Sequence, residues 1–159
     1  MVRKKTARAE DGAEGAKKAA VSLLAYKENT ERELTDKLLL RGYNREEAAA
    51  AVEYVKSKRY LDEERYYRRL VENAANTQLY GKKHIQQMLW KKHFSGETLE
   101  KCADVYETID FEGNCLRALE KIYRGDLKKT AMALLRRGFS GTEIRAAVEK
   151  FEAAKPQED

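Results

Sequence analysis

Three sets of side chains in this sequence have types suited to chemistry. Asp62-Glu63-Glu64 puts three carboxylates side by side. Paired carboxylates can divide general acid from general base, or hold a divalent cation. The same residues also fit the first turn of a helix, where Asp caps free N–H groups and acids suit the positive end of the helix dipole. The helix start is the preferred reading. Cys102 and Cys115 form no Cys-x-x-Cys pair, and His84 and His93 do not stand at metal-ligand spacing to them. Cys102 falls on a repeated apolar face, which makes it a core residue rather than a nucleophile. Cys115 is read as packed or idle. There is no glycine-rich phosphate loop and no nucleophile elbow. No catalytic residue, metal or cofactor is expected.

The third set is cationic. Arg65-Tyr66-Tyr67-Arg68-Arg69 interleaves aromatics with charge, and Lys82-Lys83-His84 opens a helix. Trp90-Lys91-Lys92 and Leu135-Arg136-Arg137 hold one shared repeat position. Lys121, Arg124, Lys128 and Lys129 gather around the last link. Helices need polar outer faces, and Lys and Arg supply them, which accounts for part of this set. The recurrence of a basic pair before an aromatic turn points further, to a polyanionic or acidic partner.

The elements that must position these residues are helical and repeated. Arg41-Gly42-Tyr43-Asn44, Lys92-His93-Phe94-Ser95 and Arg137-Gly138-Phe139-Ser140 are each followed by an apolar helix pattern. Tyr43, Phe94 and Phe139 lie roughly 45 to 51 residues apart, a period typical of stacked supersecondary units. They are read as plugs between two helices rather than as platforms for a base. Gly42 and Gly138 supply the left-handed residue that ends a helix. His93 replaces it in the middle copy, and His tolerates positive φ better than most residues. Leu38, Leu89 and Leu134 each stand five residues before the aromatic.

Caps repeat as well. Thr30 with Glu33, and Ser140 with Glu143, spell capping boxes, while Asn44 and Ser95 cap their own helices. Asp62, Asp110 and Asp126 start three more helices. The third-helix faces are Ala48, Ala51, Val52 and Val55, then Leu99, Cys102, Ala103 and Tyr106, then Ile144, Ala147, Val148 and Phe151. The expectation is an all-α chain of nine helices in three tandem triplets, at 16–58, 59–107 and 108–152. Residues 1–15 are expected as a disordered basic and Ala-Gly tail, and 153–159 as a loose end.

Composition sets wider bounds. The chain has 159 residues, 42% apolar, enough for a core, and 37% charged. Its single proline is Pro156, so nothing interrupts helices before the tail. Net charge is +5. No run approaches the ~18 apolar residues of a membrane span. The basic start, Met1-Val2-Arg3-Lys4-Lys5, lacks an apolar stretch behind it. A monomeric, cytoplasmic protein with reduced cysteines and no membrane contact is expected.

Several phrases together resemble the RecX family, regulators of the RecA recombinase. They are Thr30-Glu31-Arg32-Glu33-Leu34, Tyr60-Leu61-Asp62-Glu63-Glu64-Arg65-Tyr66, Gly81-Lys82-Lys83-His84-Ile85 and Arg137-Gly138-Phe139-Ser140. The likeness runs in order from 16 to 151. Departures are His93 for the family's Gly, Asn29-Thr30 for its Arg-Ser turn, and Glu63 for the commoner Asp. The resemblance implies three repeats of a three-helix unit in an elongated, curved array. It implies binding to the RecA–single-stranded DNA filament and inhibition of its growth, ATP hydrolysis, strand exchange and coprotease activity. DNA would be met directly or through the filament. The residues set to face filament or DNA are Arg65, Arg68, Arg69, Lys82, Lys83, Lys91, Lys92, Lys121, Arg124, Lys128, Lys129, Arg136 and Arg137.

A rival reading is a helix-turn-helix DNA regulator, because helix two, turn and helix three superficially match that motif. The third helices speak against it: Ala49, Ala50 and Glu53, then Glu100, Lys101 and Asp104, then Arg145, Ala146 and Glu149 are poor readers of base edges.

Overall fold

The computed structural model describes residues 12–155. Among them are nine α-helices and one 3-10 segment. The first triplet is α1 (Gly12–Tyr26), α2 (Glu31–Leu40) and α3 (Arg45–Ser57). The second is α4 (Glu63–Asn76), α5 (Lys82–Trp90) and α6 (Gly96–Lys101), followed by the 3-10 turn Ala103–Thr108. The third is α7 (Phe111–Ile122), α8 (Leu127–Arg136) and α9 (Gly141–Ala153).

The capping boxes form as written. Thr30 accepts from Glu33 N–H at 3.0 Å while Glu33 accepts from Thr30 N–H at 2.9 Å. Asn44 and Glu47 exchange bonds of 2.8 and 2.9 Å, and Ser140 and Glu143 exchange 3.1 and 2.8 Å. Each cap stabilises its helix by about 1 kcal/mol. The C-terminal ends are equally regular. Tyr43 N–H donates to Leu38 and Gly42 N–H to Leu39; Phe139 and Gly138 do the same to Leu134 and Leu135. This is the Schellman pattern, and Gly42 and Gly138 take φ of 99° and 97° to close it. His93 holds φ 57° at the matching place.

The chain divides into two compact units. The first runs to Tyr67 and includes Lys92–Cys102; the second comprises Arg68–Lys91 and continues from Ala103. Each unit therefore holds one terminal triplet and part of the middle one. In both terminal triplets the first helix packs chiefly on the third, α1 on α3 and α7 on α9. The first core gathers Ala16, Ala20, Leu34, Leu38, Tyr43, Ala48, Ala51, Val52, Val55 and Leu61. Full burial of a leucine such as Leu34 or Leu38 contributes about 2 kcal/mol. Phe94 sits against Tyr66 and Tyr67 with ring centroids 5.5 and 5.0 Å apart. In the second unit Phe139, Leu134, Ile85 and Leu119 are buried.

Three expectations need correction. The expected tail of 1–15 includes Gly12 to Gly15, but these form the first turn of α1, with Gly15 buried; residues 1–11 lie outside the described chain. The third helix of the middle triplet is short. Helical geometry ends at Lys101, and the tighter 3-10 turn rotates the apolar face. Thr98, Cys102, Val105 and Tyr106 are buried there, whereas Leu99 and Ala103 are exposed. On α9, Ile144 and Ala147 are buried but Val148 and Phe151 are half-buried; Phe151 lies against Tyr123 at 4.8 Å.

Candidate functional site

The carboxylates Asp62, Glu63 and Glu64 open α4. Asp62 accepts the N–H of Arg65 at 3.0 Å, as a capping residue should. Glu63 is 6% exposed and does something no local pattern signals. It accepts the N–H of Glu31 at 2.7 Å, the N–H of Ser95 at 2.9 Å and the hydroxyl of Thr98 at 2.9 Å. One side chain thus serves the N-terminal ends of two other helices, α2 and α6. Among the described residues no group of three His, Cys, Asp or Glu has metal-binding geometry.

Both cysteines are free and buried. Burial pushes the Cys115 thiol up to about 12, with the Glu143 and Glu112 carboxylates adding to the effect. Such a thiol carries almost no thiolate at neutral pH, so it is a packing group.

The cations divide by what they touch. In the first unit, Arg65 pairs with Glu28 at 3.2 Å and Asp62 at 3.8 Å. Lys92 lies 3.8 Å from Glu33 and over the Tyr66 ring at 5.7 Å. In the second unit, Arg68 pairs with Asp104 at 3.0 Å, and Lys82 lies over Tyr106 at 5.2 Å. Arg69 is exposed on α4. Arg124 folds back on the carbonyls of Lys121 and Tyr123 at 3.1 and 2.9 Å. Lys121, Lys128, Lys129, Lys83, Lys91 and Arg136 are exposed.

Arg137 differs from the outward position expected of it. Its guanidinium donates to the carbonyl of Leu79 at 3.1 Å and to that of Gln78, and it covers the Tyr80 ring at 4.7 Å. Its own carbonyl accepts the N–H of Gly81 at 2.8 Å. Arg137 is a joint residue, and its neighbour Arg136 is the outward one. The first unit has the matching joint, in which Thr30 Oγ1 donates to the Lys92 carbonyl at 2.8 Å. In both, the cap of a second helix bonds to the carbonyl two residues before the next aromatic.

Sequence reading named the cations of the second helices but missed the amide and apolar groups exposed beside them. On α5, Lys83, Gln86, Gln87 and Trp90 line one shallow depression, at i, i+3, i+4 and i+7. Trp90 is 77% exposed. On α8, Met132 and Leu135 are 55% and 53% exposed, between Lys128 and Arg136. Counted back from Phe94 and Phe139, Lys83 matches Lys128, Trp90 matches Leu135 and Lys91 matches Arg136. A signal existed: residues 73–96 and 127–142 are the two longest stretches without Asp or Glu, and they carry α5 and α8. The third helices expose Ala49, Ala50 and Glu53, then Glu100 and Lys101, then Arg145 and Glu149. Two alanines, three glutamates and two cations spread over three helices make a poor set of base-edge readers.

Comparison with known proteins settles the ancestry of this arrangement. Residues 16–54 match the model described as "RecX, first three-helix domain". A "Regulatory protein RecX" of Stenotrophomonas maltophilia is 33% identical over 135 residues, covering 80% of this chain and 82% of its own. The chain belongs to the RecX family. A RecX of Xanthomonas campestris is 31% identical over the same shares of both chains. That of Streptococcus mutans is 24% identical across 90% of this chain and 58% of its own. The crystal structure of RecX from Lactobacillus salivarius shares the fold, with TM-score 0.77, 21% identity and coverage of 89% and 97%. The three-triplet, all-α architecture is thus that of RecX regulatory proteins. No described helix is long and apolar enough to cross a membrane.

Proposed function

We propose that this chain binds the filament formed by the RecA recombinase on single-stranded DNA and opposes its growth, lowering ATP hydrolysis, strand exchange and coprotease activity. It does so by binding, without chemistry of its own, as a cytoplasmic monomer. The observation that carries this reading is the 33% identity to a protein named Regulatory protein RecX over 80% of the chain. The surface supports it. The exposed cations Lys83, Lys91, Lys128, Lys129 and Arg136 lie on or directly after α5 and α8, neither of which contains an acidic residue. A polyanionic filament would release counterions on meeting them.

The test is binding of the chain to RecA assembled on labelled single-stranded DNA, followed by anisotropy at two salt concentrations. Binding that weakens steeply with salt supports the reading. Binding to RecA that is indifferent to salt, or no binding, removes the electrostatic account.

A further inference from the structure

We propose that the start of α8 is a socket for the α2–α3 turn of a second copy of this chain, and that Arg124 holds it shut in the free chain. Counted back from the turn aromatics Tyr43, Phe94 and Phe139, the helix caps Thr30, Gly81 and Asp126 are equivalent. Thr30 Oγ1 reaches the Lys92 carbonyl and Gly81 N–H the Arg137 carbonyl, both at 2.8 Å. In each joint the start of one second helix takes the next turn. Three turns and three starts make two joints, and leave over Asp126 in the second unit and the Arg41 turn in the first. The N–H of Asp126 meets no acceptor among the described residues. The Arg41 carbonyl, equivalent to those of Lys92 and Arg137, meets no donor among them.

The place left over has the right lining. Asp126 and Lys129 border an open depression of about 340 Å³. They match Gly81 and His84, which stand against the Gly138 backbone in the second joint. The Arg41 turn carries the matching glycine, Gly42, with φ 99° beside 97° at Gly138. Arg124 acts as the latch. In the second joint the Arg137 guanidinium holds the carbonyls of Leu79 and Gln78, whose equivalents are Arg124 and Tyr123. Arg124 instead turns its own guanidinium onto the carbonyls of Tyr123 and Lys121 at 2.9 and 3.1 Å. It fills the position of the incoming arginine. Arg41 of a second copy brings the same group, and exchange of like for like between protomers costs little. Cations face cations at this contact, as in the second joint, where the turn bearing Arg136 and Arg137 docks on a helix that starts Lys82-Lys83. A shut socket keeps the free chain monomeric, since repeat arrays need closed ends to stay soluble.

This inference goes beyond the filament reading, and its test contains no recombinase. Sedimentation velocity of the full chain is measured over a concentration series. Wild type is expected to remain monomeric through the micromolar range. Arg124→Ala is expected to self-associate roughly tenfold more tightly, the scale of guanidinium bonds that no longer have to be broken. Salt should strengthen that association by screening the facing cations, opposite in sign to filament binding. Arg124→Lys, which loses the fork that spans two carbonyls, should behave alike and serves if the alanine variant loses helix content. Adding Arg41→Ala to either opened variant should restore the monomer. That double variant has an open socket and a damaged turn, so mixed with wild type it should give a 1:1 dimer that grows no further. Monomeric behaviour of both opened variants, equally tight association of wild type, or association that persists in the double variant alone would each overturn the proposal.

Discussion

Gly81 donates its backbone N–H to the carbonyl of Arg137 at 2.8 Å, which brings two helix ends into backbone contact. A Cβ on Gly81 would stand 2.2 Å from the Gly138 carbonyl carbon, and one on Gly138 would stand 2.4 Å from His84 N. Neither neighbour is a flexible side-chain tip. Gly81→Ala is expected to cost about 3 kcal/mol or more, by urea unfolding, through overpacking and loss of the joint. Gly138→Asn should be nearly as harmful, although Asn accepts positive φ. Gly125 has φ 96° and nothing within 4 Å, so Gly125→Asn should cost less than about 1 kcal/mol.

Glu63 is the corresponding device in the first unit. Glu63→Ala strands the N–H groups of Glu31 and Ser95 and the hydroxyl of Thr98. At about 1 kcal/mol for each lost partner, a destabilisation of ~3 kcal/mol is expected in urea titration, with little change in slope. Glu63→Gln should lose less, since one amide oxygen still accepts.

His93 adopts φ 57° where the other repeats use glycine. His93→Gly relieves a left-handed residue at the cost of extra freedom in the unfolded chain. A net gain of about 0.5 kcal/mol is expected, visible as a small rise in Tm.

Cys102 and Cys115 are both fully buried, so neither should react with a thiol reagent in the native state at neutral pH. Both should react on unfolding. The Cys115 thiol titrates near 9.0 when unfolded and at about 12 when folded. Below pH 9 both states hold the proton and stability is unaffected. Between pH 9 and 12 the unfolded state loses the proton first, so this group lowers stability as pH rises. Cys115→Ala should flatten that alkaline decline.

Arg136 and Arg137 are neighbours with opposite expected behaviour. Arg136→Ala should leave the urea midpoint nearly unchanged and reduce the salt slope of filament binding by about 1. Arg137→Ala should lower the midpoint, because it removes the guanidinium from the carbonyls of Leu79 and Gln78.

Caps and apolar faces were legible because they are local. Thr30 reaches Glu33, and Ala48 shares a face with Val52, whatever the rest of the chain does. The joints were not legible, since Thr30 with Lys92 and Gly81 with Arg137 are long-range bonds that exist only once the helices have docked. For the same reason Arg137 read as a surface cation. Its partners are carbonyls freed by a turn at Leu79, which takes φ 58°. Trp90 read as part of a basic phrase, and only burial separates it from a core aromatic such as Phe94.

The most direct test of the central claim is RecA's ATP hydrolysis on single-stranded DNA with this chain titrated in at two salt concentrations. The account predicts a drop at substoichiometric chain that weakens as salt is raised. Unchanged hydrolysis at excess chain would contradict it.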